Sequence, residues 1–160
     1  MKTGLTIGKY APLHKGHQHI IEKALEEMDE LIVIVYDAPK LTKIPLEVRA
    51  GWIRKLYPGI RVIEANEVPN DVGYTEVIQK KHENYILSLV EGFKIAAFYS
   101  SESYGERMSK ALSAENRIVD IDRKTINISA TEIRHDPYGC RDFIEPIVFL
   151  DLIRYDYHKI

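Results

Sequence analysis

The stretch Leu31-Ile32-Val33-Ile34-Val35-Tyr36 constrains this chain more than any other segment. It is apolar without interruption, so a strand built from it has two faces to bury. Shorter runs of the same kind recur at Leu5–Tyr10, Ile60–Ile63, Ile95–Tyr99 and Ile118–Ile121. Helical patterns separate them, at roughly His17–Met28, Leu46–Leu56, Thr75–Val90 and Tyr104–Leu112. Pro58-Gly59 and Gly92 supply breaks between these segments. Strict alternation of this sort predicts an α/β fold: a parallel five-stranded sheet with helices on both faces. A tail after Asp136-Pro137 reads as a turn and a last helix, with Pro146 in its first turn and Ile147, Leu150 and Ile153 as its apolar stripe.

At 160 residues the chain is expected to form a single domain over 1–160, with room for a sizeable core. A formal charge of −2 leaves no basic footprint for nucleic acid. No apolar run approaches the ~20 residues that span a bilayer, so no membrane association is expected. The lone cysteine, Cys140, excludes an intramolecular disulfide and a multi-cysteine zinc site. With no apolar leader after Met1-Lys2, the expected location is cytoplasmic.

Parallel sheets take ligands beyond the carboxyl ends of their strands. The first strand leaves through Gly8-Lys9-Tyr10-Ala11-Pro12-Leu13-His14-Lys15-Gly16-His17. Gly16, between two histidines, permits close backbone approach. The helix that follows offers unpaired N–H groups and a partial positive charge, which suits a phosphate. A zinc site needs more ligands than His14 and His17, and no second His/Cys cluster appears. The polar neighbours Lys9, Lys15 and Gln18 argue against two core histidines.

A second constellation lies at Ile128-Ser129-Ala130-Thr131-Glu132-Ile133-Arg134. Ser129 can cap a short helix carrying Thr131 and Glu132 in its first turn, a spacing that resembles a capping box. Arg134 sits about one turn on, where its guanidinium can clamp phosphate oxygens. Two phosphate-competent helix starts on one sheet suit a nucleoside triphosphate better than either alone.

These segments carry a resemblance. Gly8–His17 is similar to the HxGH segment of the nucleotidyltransferase superfamily, and Ile128–Arg134 resembles its ISxTxxR segment, in the family's order. "GKYAPLHKGH", "YSSES" at Tyr99–Ser103 and "DRKTINISATEIRHDPYGCRDFI" most resemble the nicotinamide-mononucleotide (NMN) adenylyltransferase domain of the NadR proteins. The resemblance implies a Rossmann-like fold and attack of the NMN 5′-phosphate on the α-phosphorus of ATP, giving NAD and pyrophosphate. No GxxxxGK[ST] segment exists for a kinase. A pantetheine-phosphate adenylyltransferase or a cytidylyltransferase is the alternative enzyme; the former favours TxGH, whereas this chain has His14. A silent nucleotide sensor is the alternative of another class.

The resemblance implies catalytic roles for His14, His17 and Arg134. It implies ATP binding by Gly8, Lys9, Tyr10, His14, Gly16, His17, Ser129, Thr131 and Arg134. Magnesium would arrive with ATP and needs no protein carboxylate cluster, so no resident metal is expected. For NMN the candidates are Asp37, Arg49, Trp52, Asn70 and Tyr74. Trp52 can stack on the cationic ring or pack in the stripe Val48, Trp52, Ile53, Leu56; Asp37 and Asn70 can equally be solvated. A homo-oligomer is compatible with the sequence. Arg107-Met108-Ser109-Lys110 resembles the lysine loop of class I aminoacyl-tRNA synthetases, but the chain is small for such an enzyme, and an exposed helix is expected there.

Overall fold

The computed structural model describes residues 1–155. Its elements run β1 (Thr3–Gly8), α1 (Lys15–Glu27), β2 (Glu30–Tyr36), α2 (Leu46–Leu56), β3 (Arg61–Ala65), α3 (Glu76–Leu89), β4 (Ile95–Ser100), α4 (Gly105–Leu112), β5 (Glu115–Ile118), α5 (Ala130–His135) and α6 (Pro146–Tyr155). A short 3-10 turn at Arg141–Phe143 precedes α6. Among the described residues the strands form a five-stranded parallel sheet ordered β3-β2-β1-β4-β5. The chain winds outward from β1 to β3, then crosses back to β4. The ends of β1 and β4 therefore flank the switch point, where such sheets leave a crevice.

Side-chain alternation divides the core into two layers. Leu31, Val33 and Val35 of β2 face α1, α2, α5 and α6, in a cluster with Ile21, Ala24, Trp52, Ile53, Ile133 and Leu152. Ile32 and Ile34 face the other way, with Leu5, Ile86 of α3 and Met108 of α4. Both faces of β2 are buried, which is why its sequence reads as an unbroken apolar run. Full burial of such a side chain is worth about 1.5–3 kcal/mol. Pairing with β1 slips between Thr3 and Gly4, so that Thr3 sits opposite Ile95 and Gly4 opposite Ala97. The extra residue puts Ile95 on the α3 face while Ala97 and Tyr99 join the α1 face.

The expected α/β sheet is present, with displaced boundaries. β1 ends at Gly8 rather than Tyr10, because Tyr10 takes φ 48° and turns the chain out of the sheet. β3 starts and ends later than expected, at Arg61–Ala65. The fifth strand runs over Glu115–Ile118 rather than Ile118–Ile121. As an edge strand it tolerates Glu115, Asn116 and Arg117, whereas Ile118 and Ile121 are exposed and Asp120, at φ 51°, starts a turn. The α6 stripe is also shifted: Val148, Phe149 and Leu152 are buried, and Leu150 points to solvent at 67% exposure. Among the described residues no helix is long and apolar enough to cross a membrane.

Candidate active site

A cleft of about 650 Å³ opens over the ends of β1 and β4. Its floor is Thr6–Ala11, and both phosphate-competent segments line it. His14 is the N-cap of α1, with its backbone still extended. Its Nδ1 accepts the N–H groups of Gly16 and His17 at 3.0 and 3.4 Å, while Nδ1 of His17 accepts the N–H of His14 at 3.2 Å. The two histidines thus form a reciprocal capping box, a role usually taken by Ser/Thr and Glu/Gln. A Cβ on residue 16 would sit 2.8 Å from Cε1 of His14, so glycine is what lets this ring fold onto its own helix start.

The cap fixes the chemistry of both rings. An Nδ1 that accepts leaves the proton of a neutral imidazole on Nε2. The rings stack at 3.7 Å between centroids, an arrangement that two cations would oppose. Burial, helped by the nearby Arg123 guanidinium, lowers the His14 pKa to about 4. Burial and the adjoining His14 hold His17 well below the usual histidine range. Both rings are therefore neutral Nε2–H donors near pH 7, and both line the cleft.

Across the cleft, Ser129 caps α5: its Oγ accepts the N–H of Glu132 at 3.2 Å and lies 3.0 Å from the Glu132 carboxylate. Arg134 joins the two segments. Its Nη1 donates to the carbonyl of Ala11 at 2.6 Å and its Nη2 to Oγ1 of Thr131 at 3.3 Å. Gly8, Lys9 and Tyr10 complete this wall, with Tyr10 edge-on to His17 at 4.9 Å. The cleft thus brings together His14, His17, Arg134, Gly8, Lys9, Tyr10, Gly16, Ser129 and Thr131.

The acceptor candidates are dispersed. Among Asp37, Arg49, Trp52, Asn70 and Tyr74, only Tyr74 lines the cleft, at its rim and 92% exposed. Trp52 is 1% exposed and donates from Nε1 to Asp151 at 2.8 Å, so its ring is spent on core packing and has no free face for stacking. Arg49, equally buried, is a structural tie. Its Nε donates to the carbonyl of Ile44 at 3.1 Å, and its Nη1 to those of Lys9 at 2.5 Å and Tyr36 at 2.8 Å. Asp37 pairs with Arg49 at 3.4 Å and is not among the lining residues of the cleft. Asn70 lies in the β3–α3 loop, outside the lining.

Other lining residues escaped the sequence reading. Arg123 donates from Nη1 to the carbonyl of Ile128 at 2.8 Å and brings a second guanidinium to the histidine side. Asp120 accepts the N–H groups of Lys124, Thr125 and Ile126 at 2.9–3.1 Å, which lowers its pKa and folds the loop that presents Arg123. Asp120 and Asp122 in a polar stretch are a turn signal that could have flagged this loop. Glu83 and Arg107, from α3 and α4, also line the cleft, so Arg107 is no bystander on an exposed helix. Among the described residues no group of three His, Cys, Asp or Glu side chains is disposed to hold a metal ion.

A cytidylyltransferase-like family model matches residues 5–136. The chain is 26% identical over 164 residues to a probable nicotinate-nucleotide adenylyltransferase of Thermotoga petrophila, covering 83% of this chain and 84% of the relative. It is 41% identical over 68 residues to the phosphopantetheine adenylyltransferase of Fusobacterium nucleatum, 42% of each chain. The crystal structure of a NadR protein in complex with NAD and AMP-PNP superposes with TM-score 0.67 and 25% identity, over 91% of this chain and 45% of that one. The chain thus spans less than half of two of these three relatives.

Proposed function

The chain belongs to the cytidylyltransferase-like family, and within it we propose an adenylyltransferase that joins ATP to nicotinamide mononucleotide, releasing NAD and pyrophosphate. One observation carries the reading: two helix starts, two neutral histidine donors and a bridging arginine converge on one cleft at the switch point. Such an array fits a triphosphate, whose charge it meets with preorganised N–H donors and guanidinium groups.

In this reading an oxygen of the NMN 5′-phosphate forms a bond to the α-phosphorus of ATP. The bond from that phosphorus to the bridging oxygen breaks, and pyrophosphate leaves with the electron pair. The attacking phosphate is already anionic, so no general base is required. Alignment and charge stabilisation supply the acceleration. His14 and His17 donate from Nε2 to oxygens at the α-phosphate, while Ser129, Thr131, Arg134 and the α5 start hold the β- and γ-phosphates. Magnesium enters as part of the MgATP substrate.

Formation of NAD from MgATP and NMN tests the proposal, run beside 4′-phosphopantetheine as acceptor and CTP as donor. Turnover of NMN with ATP above the other pairs is expected. Preferential turnover of 4′-phosphopantetheine would move the acceptor to the coenzyme A side, as the Fusobacterium likeness would have it. ATP binding without turnover of any pair, nicotinate mononucleotide included, would make the chain a nucleotide sensor.

A further inference from the structure

The arm of the cleft at α3 and α4 is walled by Tyr36, Tyr74, Glu83, Tyr104 and Arg107. Aromatic faces suit a cationic pyridinium ring. Arg107 would by itself invite an acidic ligand, yet its guanidinium is already engaged. Nη1 and Nη2 donate to the two carboxylate oxygens of Glu76, both at 2.8 Å, and Nε donates to Glu83, whose other oxygen lies 3.5 Å from Nη2. Two carboxylates on one guanidinium leave a negative charge in excess. Glu83 is 8% exposed, so its charge is poorly screened, whereas the Glu76 side chain is 77% exposed. Of the neighbouring cations, Lys81 is engaged by Asp71 at 2.6 Å, and Lys80 acts on the exposed Glu76 rather than on the buried Glu83.

Resting on the pyridine-mononucleotide reading above, we propose that Glu83 is a specificity-determining residue: by clamping Arg107 it denies this arm an available cation and selects a carboxamide-bearing acceptor over the corresponding carboxylate. A carboxylate entering here meets the charge of the buried Glu83 and loses its hydration. A carboxamide carries no such charge. Tyr36, on the same wall, is an uncharged neighbour for it.

The test compares kcat/KM for NMN and for nicotinate mononucleotide, with MgATP saturating, in the wild type, Glu83→Gln and Glu76→Gln. The wild type is expected to favour NMN by about tenfold or more. Glu83→Gln frees half of the clamp and lowers the ratio by about tenfold, chiefly through a smaller KM for nicotinate mononucleotide. A merely structural glutamate would lower both rates alike and leave the ratio alone. Glu76→Gln, on a side chain 77% exposed, shifts the ratio in the same direction by a smaller factor and serves if Glu83→Gln fails to fold. A wild type that uses both acceptors equally, or a ratio unmoved in the folded variants, overturns the inference while leaving adenylyl transfer to pyridine mononucleotides intact. Turnover of neither pyridine mononucleotide overturns both readings together.

Discussion

His14 and His17 cap one another: each Nδ1 accepts the other's backbone N–H, at 3.4 and 3.2 Å, and their rings stack at 3.7 Å. One contact both starts α1 and orients two Nε2–H donors, so folding and chemistry share the same atoms.

The two roles can be separated by substitution. His14→Asn retains a side-chain acceptor for the cap but loses Nε2–H; His14→Ala loses both. Turnover is expected to fall about 10²-fold or more in each, as on removal of a preorganised donor. Only His14→Ala should also lose about 1 kcal/mol of stability. Pyrophosphate-release rates and urea melts on the same preparations measure the two effects.

Acid should weaken the unliganded fold through the same ring. His14 titrates at about 4 in the folded chain against 6.5 ordinarily, so between those values the unfolded chain takes a proton that the folded chain refuses. Stability therefore falls as pH drops from 6.5 to 4 and levels off below, by on the order of 3 kcal/mol from this group. His17, also shifted down, adds in the same direction. His14→Asn should flatten the slope in that window, and chemical denaturation at stepped pH would reveal a slope unchanged by the substitution.

Arg49→Ala is expected to unfold the protein rather than impair acceptor binding. The side chain satisfies carbonyls of three separate segments, at Lys9, Tyr36 and Ile44, and its loss leaves the buried Ile44 carbonyl and two partly buried ones without that donor. A cost of about 3–5 kcal/mol follows. A normal denaturation midpoint with a raised KM for NMN would return Arg49 to the substrate-binding role its position in the sequence suggested.

Trp52→Phe should cost about 1–3 kcal/mol, since Asp151 then loses its indole partner. KM for the acceptor should stay unchanged. The emission of Trp52, the chain's one tryptophan, should show no direct quenching when NMN binds. Strong quenching on titration would place this ring against the ligand.

Arg134 is expected to lower kcat/KM for ATP about 10²-fold on replacement by alanine. Lysine should recover only part of this, because a single ammonium cannot hold the Ala11 carbonyl and Thr131 while presenting a fork to phosphate. Full activity in Arg134→Lys would reduce the residue to a point charge.

The α/β layering was legible because Leu31–Tyr36 can be satisfied only by burial on both faces, and amphipathic helices on either side supply it. The two helix starts that line the cleft were legible too, since caps are local: Ser129 to Glu132 and His14 to His17 span three residues each. Boundaries set by single backbone angles, such as Tyr10 and Asp120, left little trace in hydropathy.

What the sequence by itself determined was therefore the kind of sheet, its switch point and the two capped helix starts that line the cleft, all functions of short-range pattern. The tertiary structure alone decided the rest of the cleft wall. An arginine and a tryptophan on one helix look alike whether they face a ligand or the interior; packing sent Arg49 and Trp52 inward. It brought Glu83 and Arg107 together from separate helices, and Arg123 to the histidines across the sheet. Those partnerships join residues far apart in the chain, so neither periodicity nor spacing could announce them.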